Sequence, residues 1–114
     1  MRIETVCTGD ELLTWLTIDS NSRLFQTRLL ETLGLTVARG TVVGDVPEEI
    51  VEVLAQAAAR CDAVLVSGGL GPTADDHTTA CAARLAQAPL VEDAGARRHL
   101  EERFRARGHL LTPN

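Results

Sequence analysis

The chain has 114 residues, 45% of them hydrophobic and 24% charged, with a formal net charge of −5. That length supports one hydrophobic core and excludes two independent ones, so residues 1–114 are expected to belong to a single domain. An acidic balance excludes the basic face of a general nucleic-acid binder, and no apolar run is long enough to span a bilayer.

Arg2 to Thr8 is β-branched and apolar and predicts a first strand, followed by the turn Gly9-Asp10 and an irregular stretch through Ile18. Asp19-Ser20-Asn21 then offer N-caps for a helix in which Phe25, Leu29 and Leu33 recur at helical spacing, with Gly34 as its left-handed stop. A second strand covers Leu35 to Val43, broken by Gly44-Asp45-Val46. Pro47 fits the first position of a helix, Glu48 and Glu49 suit its positive end, and its inner face is Ile50, Leu54 and Ala57 or Ala58. The third strand is Asp62 to Ser67. A glycine turn leads from it into a helix over Asp75 to Ala86, and after a break at Pro89 a last helix spans Asp93 to Arg107 with Gly108 as its stop.

Strands alternating with helices predict an α/β fold with parallel pairing, right-handed crossovers and helices on the sheet faces. Three strands are few for such a sheet. The chain also stops at the turn-like Thr112-Pro113-Asn114, so the carboxyl side of the domain is expected to be missing or supplied by another chain. With no charged-then-apolar leader ahead of the first strand, a cytoplasmic location is expected.

In open parallel sheets, ligands sit beyond the carboxyl ends of the strands. Here the first strand is followed by Thr8-Gly9-Asp10-Glu11 and the second by Gly44-Asp45. The third is followed by Gly68-Gly69-Leu70-Gly71-Pro72-Thr73-Ala74-Asp75-Asp76. Every exit thus combines glycine with carboxylate. Glycine lacks a Cβ, so the third turn lets backbone N–H groups approach a ligand closely, and a helix start beyond it adds partial positive charge. A phosphate-bearing ligand is the expectation, with a metal ion or proton reconciling the adjacent aspartates with it.

Local chemistry offers competing readings. Thr73 and Asp76 have capping-box spacing, in which the carboxylate serves a helix end only, and Asp45 before Val46-Pro47 suits a plain turn or cap. Capping explains each loop separately, but not why all three exits are acidic. Gly69-x-Gly71-x-x-Ala74 formally fits the dinucleotide pattern, yet it contains Pro72, follows the third strand and has no later strand to bring an acid to a ribose. The nucleoside-triphosphate loop requires lysine. All 11 basic residues are arginine, which removes that motif and Schiff-base chemistry and leaves guanidinium recognition of phosphate open; a high-GC genome accounts for the same bias. Cys7, Cys61 and Cys81 are scattered and read as reduced core residues rather than a disulfide framework or zinc site. His77, His99 and His109 lack metal-ligand spacing, and His77, nearest the glycine turn, reads as a solvated helix residue.

The run Gly68-Gly69-Leu70-Gly71-Pro72-Thr73-Ala74-Asp75-Asp76-His77-Thr78 resembles the GGLGPTxDDxT motif of the amino-terminal domain of CinA, the competence/damage-inducible protein, within the molybdopterin-binding superfamily of MogA, MoaB and MoeA. Gly9-Asp10-Glu11-Leu12-Leu13 and Asp19-Ser20-Asn21-Ser22 are similar to the GDELL and DTNS motifs of that group, and Val43-Gly44-Asp45 to its VGD turn. The resemblance spans essentially the whole chain in the right order.

It implies a three-layer α/β/α domain with a mostly parallel sheet, a pterin or nucleotide ligand with its phosphate on the glycine turn, and homo-oligomers. The ligand residues it implies are Thr8, Gly9, Asp10, Glu11, Asp19, Asn21, Ser67, Gly68, Gly69, Gly71, Pro72, Thr73 and Thr78. By resemblance to molybdopterin adenylyltransferases, Asp76 and Asp45 would serve adenylate transfer; in CinA-type proteins the chemistry is metal-dependent hydrolysis of ADP-ribose. Asp75 and Asp76 would then hold Mg²⁺, Mn²⁺ or Co²⁺, cations that suit oxygen donors. Trp15 departs from the family, which has glycine there, and its indole would either stack on an aromatic ligand or obstruct the pocket. That departure and the early stop favour a third reading, a binding or oligomerisation module without turnover.

Overall fold

The computed structural model describes residues 1–14 and 16–109. The elements run β1 (Ile3–Thr8), α1 (Asp10–Leu13), α2 (Ser20–Leu33), β2 (Val37–Val43), α3 (Pro47–Arg60), β3 (Ala63–Ser67), α4 (Thr78–Ala86) and α5 (Ala94–Ala106). The strands form one parallel sheet in the order β2-β1-β3.

Every residue of β1 is buried, as its central place requires. The chain steps from β1 to β2 on one side and then from β2 across β1 to β3 on the other. Right-handed crossovers in opposite directions put α2 on one face and α3 on the other, where α4 joins it. The expected α/β/α layering follows. On the α3 side, Val6, Val43, Ile50, Leu54, Ala57 and Cys81 form the core. Ile50 and Leu54 are each almost fully buried, a burial that contributes about 1.5–3 kcal/mol per side chain. The inner face of α3 includes Ala57, whereas Ala58 is exposed. The α2 side is thinner: Phe25 and Leu29 are half-buried and Leu33 is exposed.

The helix ends are built as expected at three places. Asp19 caps α2 by accepting the Ser22 amide at 2.9 Å, Gly34 closes it in the left-handed conformation at φ 65°, and Pro47 opens α3. Asp93 caps α5 through the Ala96 amide at 2.7 Å. Two expectations are corrected. The stretch after Gly9 is not wholly irregular, because Asp10–Leu13 closes one helical turn. The helix after the glycine turn starts at Thr78 rather than Asp75, so Asp75 and Asp76 belong to the loop ahead of it. The reason is local: Asp76 turns back onto Thr73 and closes a tight turn before the helix can begin. Cys7 and Cys81 are buried, Cys61 is half-buried, and all are free thiols. Trp15 and the terminal turn at Thr112-Pro113-Asn114 lie outside the described residues.

At the amino end of β1, away from the strand exits, Glu4 is buried on the central strand. Both its oxygens accept from Arg60 Nε, at 2.9 and 3.0 Å, and Arg2 lies at 3.6 Å. The Arg60 hydrogen bonds hold the Glu4 carboxyl below its ordinary range.

Candidate functional site

Register brings the strand exits together. Thr8 pairs across from Val43 and Cys7 across from Ser67, so β1, β2 and β3 end side by side and release Gly9, Gly44 and Gly68 at one edge. Gly9 is held there by its amide, which donates to the Val43 carbonyl at 3.0 Å.

The first two exits lock reciprocally. The Asp10 amide donates to Asp45 Oδ2 at 3.0 Å, and the Asp45 amide donates to Asp10 Oδ1 at 3.0 Å. Asp45 is therefore a turn residue, as capping chemistry suggested, and it also keeps one carboxylate oxygen outside that pair.

Gly68 at φ +94° and Gly69 at φ +59° shape the third exit; a Cβ on Gly68 would run into Thr8, and one on Gly69 into the Thr78 hydroxyl. Behind the turn, Thr8 and Thr78 are buried and share a hydroxyl hydrogen bond at 3.0 Å, while the Thr78 amide donates to the Gly69 carbonyl at 3.1 Å. These contacts fasten the turn to β1 and to the start of α4.

Asp76 Oδ2 accepts from the Thr73 amide at 2.8 Å and the Thr73 hydroxyl at 2.6 Å, and the Asp76 amide returns to the Thr73 carbonyl at 3.1 Å. The capping-box pairing thus forms, but it caps a turn ahead of α4. The Thr73 hydroxyl and amide, with the Gly71 amide, hold the Asp76 carboxyl below its usual range. Asp76 is ionised at neutral pH.

An open hollow of about 250 Å³ lies at this edge, lined by Thr8, Gly9, Glu11, Asp45, Gly68, Gly69, Thr73, Asp75 and Asp76. A smaller one of about 120 Å³ adjoins it and shares Thr8, Glu11 and Gly68; the expected residues Asp19, Asn21 and Ser67 line it as well. In its wall Asn21 donates to Ser67 Oγ at 2.5 Å, tying the start of α2 to the end of β3. Burial would raise the Asp19 carboxyl, but bonds from the Ser22 hydroxyl and amide, the Cys7 thiol and the Asn21 amide outweigh it and leave it lowered.

The two hollows collect most of the residues singled out in the sequence. Asp10 and Thr78 stand behind them as supports, and Gly71 and Pro72 lie in the loop outside both linings. His77 is half-buried at the N-cap of α4. Missed in the sequence were Cys7, Leu12, Thr17, Ile18 and Ser20, which line the smaller hollow. Cys7 reads as a core residue in the strand pattern, yet its thiol donates to Asp19 Oδ1 at 3.4 Å and lies 3.3 Å from the Ser22 hydroxyl. The signal available for it was its position beside the strand exit. A separate hollow of about 240 Å³ on α5, lined by Leu100, Arg103, Phe104, Arg107 and His109, contains no candidate residue.

Among the described residues no three His, Cys, Asp or Glu side chains are grouped to hold a metal ion. The donors at the larger hollow are carboxylates, so they suit a hard cation that completes its shell with ligand phosphate oxygens and water rather than one caged by protein alone.

An open α/β sheet with a glycine turn and acidic strand exits along one edge defines an α/β domain of the kind that binds small molecules at that edge. The sequence profile described as probable molybdopterin binding domain matches residues 4–112, and the chain belongs to that family. It is 53% identical over its whole length to a CinA-like protein of Myxococcus xanthus, spanning 26% of that protein, and 43% identical to one of Anaeromyxobacter dehalogenans strain 2CP-1, spanning 28% of it. The chain thus spans about a quarter of the length of these curated relatives. Its fold matches the crystal structure of CinA from Thermoplasma acidophilum, described as of unknown function, with TM-score 0.83 and 31% identity over 99% of this chain and 65% of that one. It also matches the molybdopterin biosynthesis enzyme MoaB from Thermus thermophilus, with TM-score 0.65 and 27% identity over 98% of this chain and 67% of that one. No helix among the described residues is long and apolar enough to cross a membrane.

Proposed function

We propose that this chain is the nucleotide-handling domain of a CinA-like protein and serves metal-dependent hydrolysis of a nucleotide pyrophosphate such as ADP-ribose. The observation that carries this reading is the larger hollow, where the glycine turn meets Asp45, Asp75, Asp76 and Glu11 from three separate strand exits. Backbone amides of Gly68 and Gly69 would hold one phosphate, because the strain-free glycine backbone lets them approach it closely. Asp75 and Asp76 would hold a divalent ion such as Mg²⁺, which, when bound, neutralises phosphate charge and acidifies water. Asp45 and Asp76 orient the water, whose oxygen bonds to one phosphorus as the bridging P–O bond breaks. The products are AMP and ribose 5-phosphate, and the water's proton passes to solvent or to a carboxylate. As proposals, we add that the protein acts in the cytoplasm and as a homo-oligomer; exposed Leu30 and Leu33 on α2 support the second.

The likeness to a molybdopterin biosynthesis enzyme favours a second reading, adenylyl transfer to molybdopterin. One assay set separates the two. The protein is given Mg²⁺, Mn²⁺ or Co²⁺ with ADP-ribose, and separately ATP with molybdopterin, with Asp76→Asn as control. Metal-dependent AMP release lost in the variant is the expected result. Pterin-dependent ATP consumption would favour transfer, binding without turnover would favour a non-catalytic module, and equal turnover in Asp76→Asn would remove Asp76 from the chemistry.

A further inference from the structure

Glu11 is the one carboxylate among the described residues that borders both hollows. Its main chain is fixed by accepting from Leu16 and Thr17 amides at 3.2 Å each. Its side chain curls back over the β1 exit, so that both carboxylate oxygens lie 2.6 Å from where a Cβ on Gly9 would stand. Gly9 itself has φ +147°, which glycine adopts without strain. Of the other acids at the edge, Asp10 and Asp45 bond to each other, Asp76 bonds to Thr73 and Asp19 to the α2 cap, while Asp75 borders the larger hollow alone. Among the described residues no protein donor engages the Glu11 oxygens.

A carboxylate that borders both hollows filters what can lie across them. It repels a phosphate, and as an acceptor-only group it pairs with hydroxyl donors. The two sides differ in the matching way. The larger hollow has the glycine amides for phosphate, while the smaller one is walled by Leu12, Ile18, Asn21 and Ser67 and by Asp19, whose carboxylate already accepts from Ser22 and Cys7 and would repel an anion, so that this side suits an uncharged group. We infer that Glu11 reads the vicinal hydroxyls of a ribose that crosses from one hollow to the other, so that the ligand class is a ribonucleoside diphosphate. This rests on the reading of the glycine turn as the phosphate site. Two carboxylate oxygens match two neighbouring hydroxyls, and each bond is charge-assisted.

The test is calorimetric titration of the protein and of Glu11→Gln, in Mg²⁺, with ADP, 2′,3′-dideoxy-ADP and inorganic pyrophosphate. ADP is expected to bind the unaltered protein about tenfold more tightly than the dideoxy compound, the value of a charge-assisted bond lost. In Glu11→Gln that ratio falls toward one, while pyrophosphate binds no more weakly and is expected to bind more tightly because a nearby negative charge is gone. A ratio near one in the unaltered protein, or the same ratio in both proteins, overturns the role of Glu11 and leaves the phosphate site standing. Absence of binding by all three ligands to the unaltered protein overturns both. An equal loss of all three in Glu11→Gln shows a merely structural role and overturns the inference.

Discussion

Asp10 and Asp45 each donate a backbone amide to the other's carboxylate, and these two bonds of 3.0 Å clamp the β1 exit to the β2 exit. The clamp leaves little room at its centre, since a Cβ on Gly44 would stand 2.5 Å from Asp10 Oδ1. Asp45 therefore has two duties that substitutions separate. Asp45→Asn keeps an acceptor for the Asp10 amide and should leave stability nearly unchanged while lowering turnover. Asp45→Ala removes the acceptor and should cost about 1 kcal/mol, a few degrees in melting temperature. Calorimetry alongside the ADP-ribose assay checks both, and a stable, fully active Asp45→Asn would leave Asp45 a turn residue alone.

Gly68 is predicted to be intolerant of any side chain. Its φ of +94° strains an L-residue, and a Cβ would press on the Thr8 carbonyl, which is main chain and cannot yield. Gly68→Ala should lose roughly 1–3 kcal/mol from backbone strain and, with it, pyrophosphate binding. Urea unfolding and calorimetric titration provide the two numbers. Unchanged binding would mean that the turn does not hold phosphate.

The buried hydroxyl pair Thr8–Thr78 predicts non-additivity. Thr8→Val or Thr78→Val alone strands one hydroxyl and should cost on the order of 1–2 kcal/mol, whereas the double variant replaces both by groups of similar shape and should cost less than the sum. A double-mutant cycle by chemical denaturation measures the coupling. Strict additivity would show that the two hydroxyls do not bond.

Acid sensitivity should trace in part to Glu4. Its folded carboxyl is held below the unfolded value of 4.5 by Arg60, so the folded state favours the ionised form. That contribution is fully present above the unfolded value and is lost as pH falls through the lower folded one. The urea midpoint of Glu4→Gln should accordingly fall less between neutral pH and pH ~3 than that of the unaltered protein. Parallel curves would assign the acid limb to other groups, Asp19 and Asp76 among them, whose carboxyls are lowered in the same sense.

Much of this architecture is legible without any tertiary contact. Asp19 and Gly34 mark the ends of α2, Pro47 opens α3, and Ile50 and Leu54 reveal its buried face, because caps and helical periodicity act within a few residues. The start of α4 is not legible in that way. Adjacent aspartates look like the first turn of a helix, and only the hydrogen bonds from Thr73 to Asp76 show that they close a separate turn.

The smaller hollow is harder still. Cys7 and Asn21 reveal nothing of it locally, since Cys7 meets Asp19 and Ser22 on α2, while Asn21 reaches Ser67 at the end of β3, 46 positions away.

By itself the sequence determined that three strands would leave glycine and carboxylate at each exit, since turn chemistry and strand pattern are local properties of the chain. Only the tertiary structure decided what those carboxylates do: Asp10 and Asp45 clamp two loops, Asp76 braces a turn, and Glu11 stands between two hollows. The physical reason is that a side chain's partner depends on which strands lie side by side, and the order β2-β1-β3 is set by packing across the sheet rather than by any residue's neighbours in sequence.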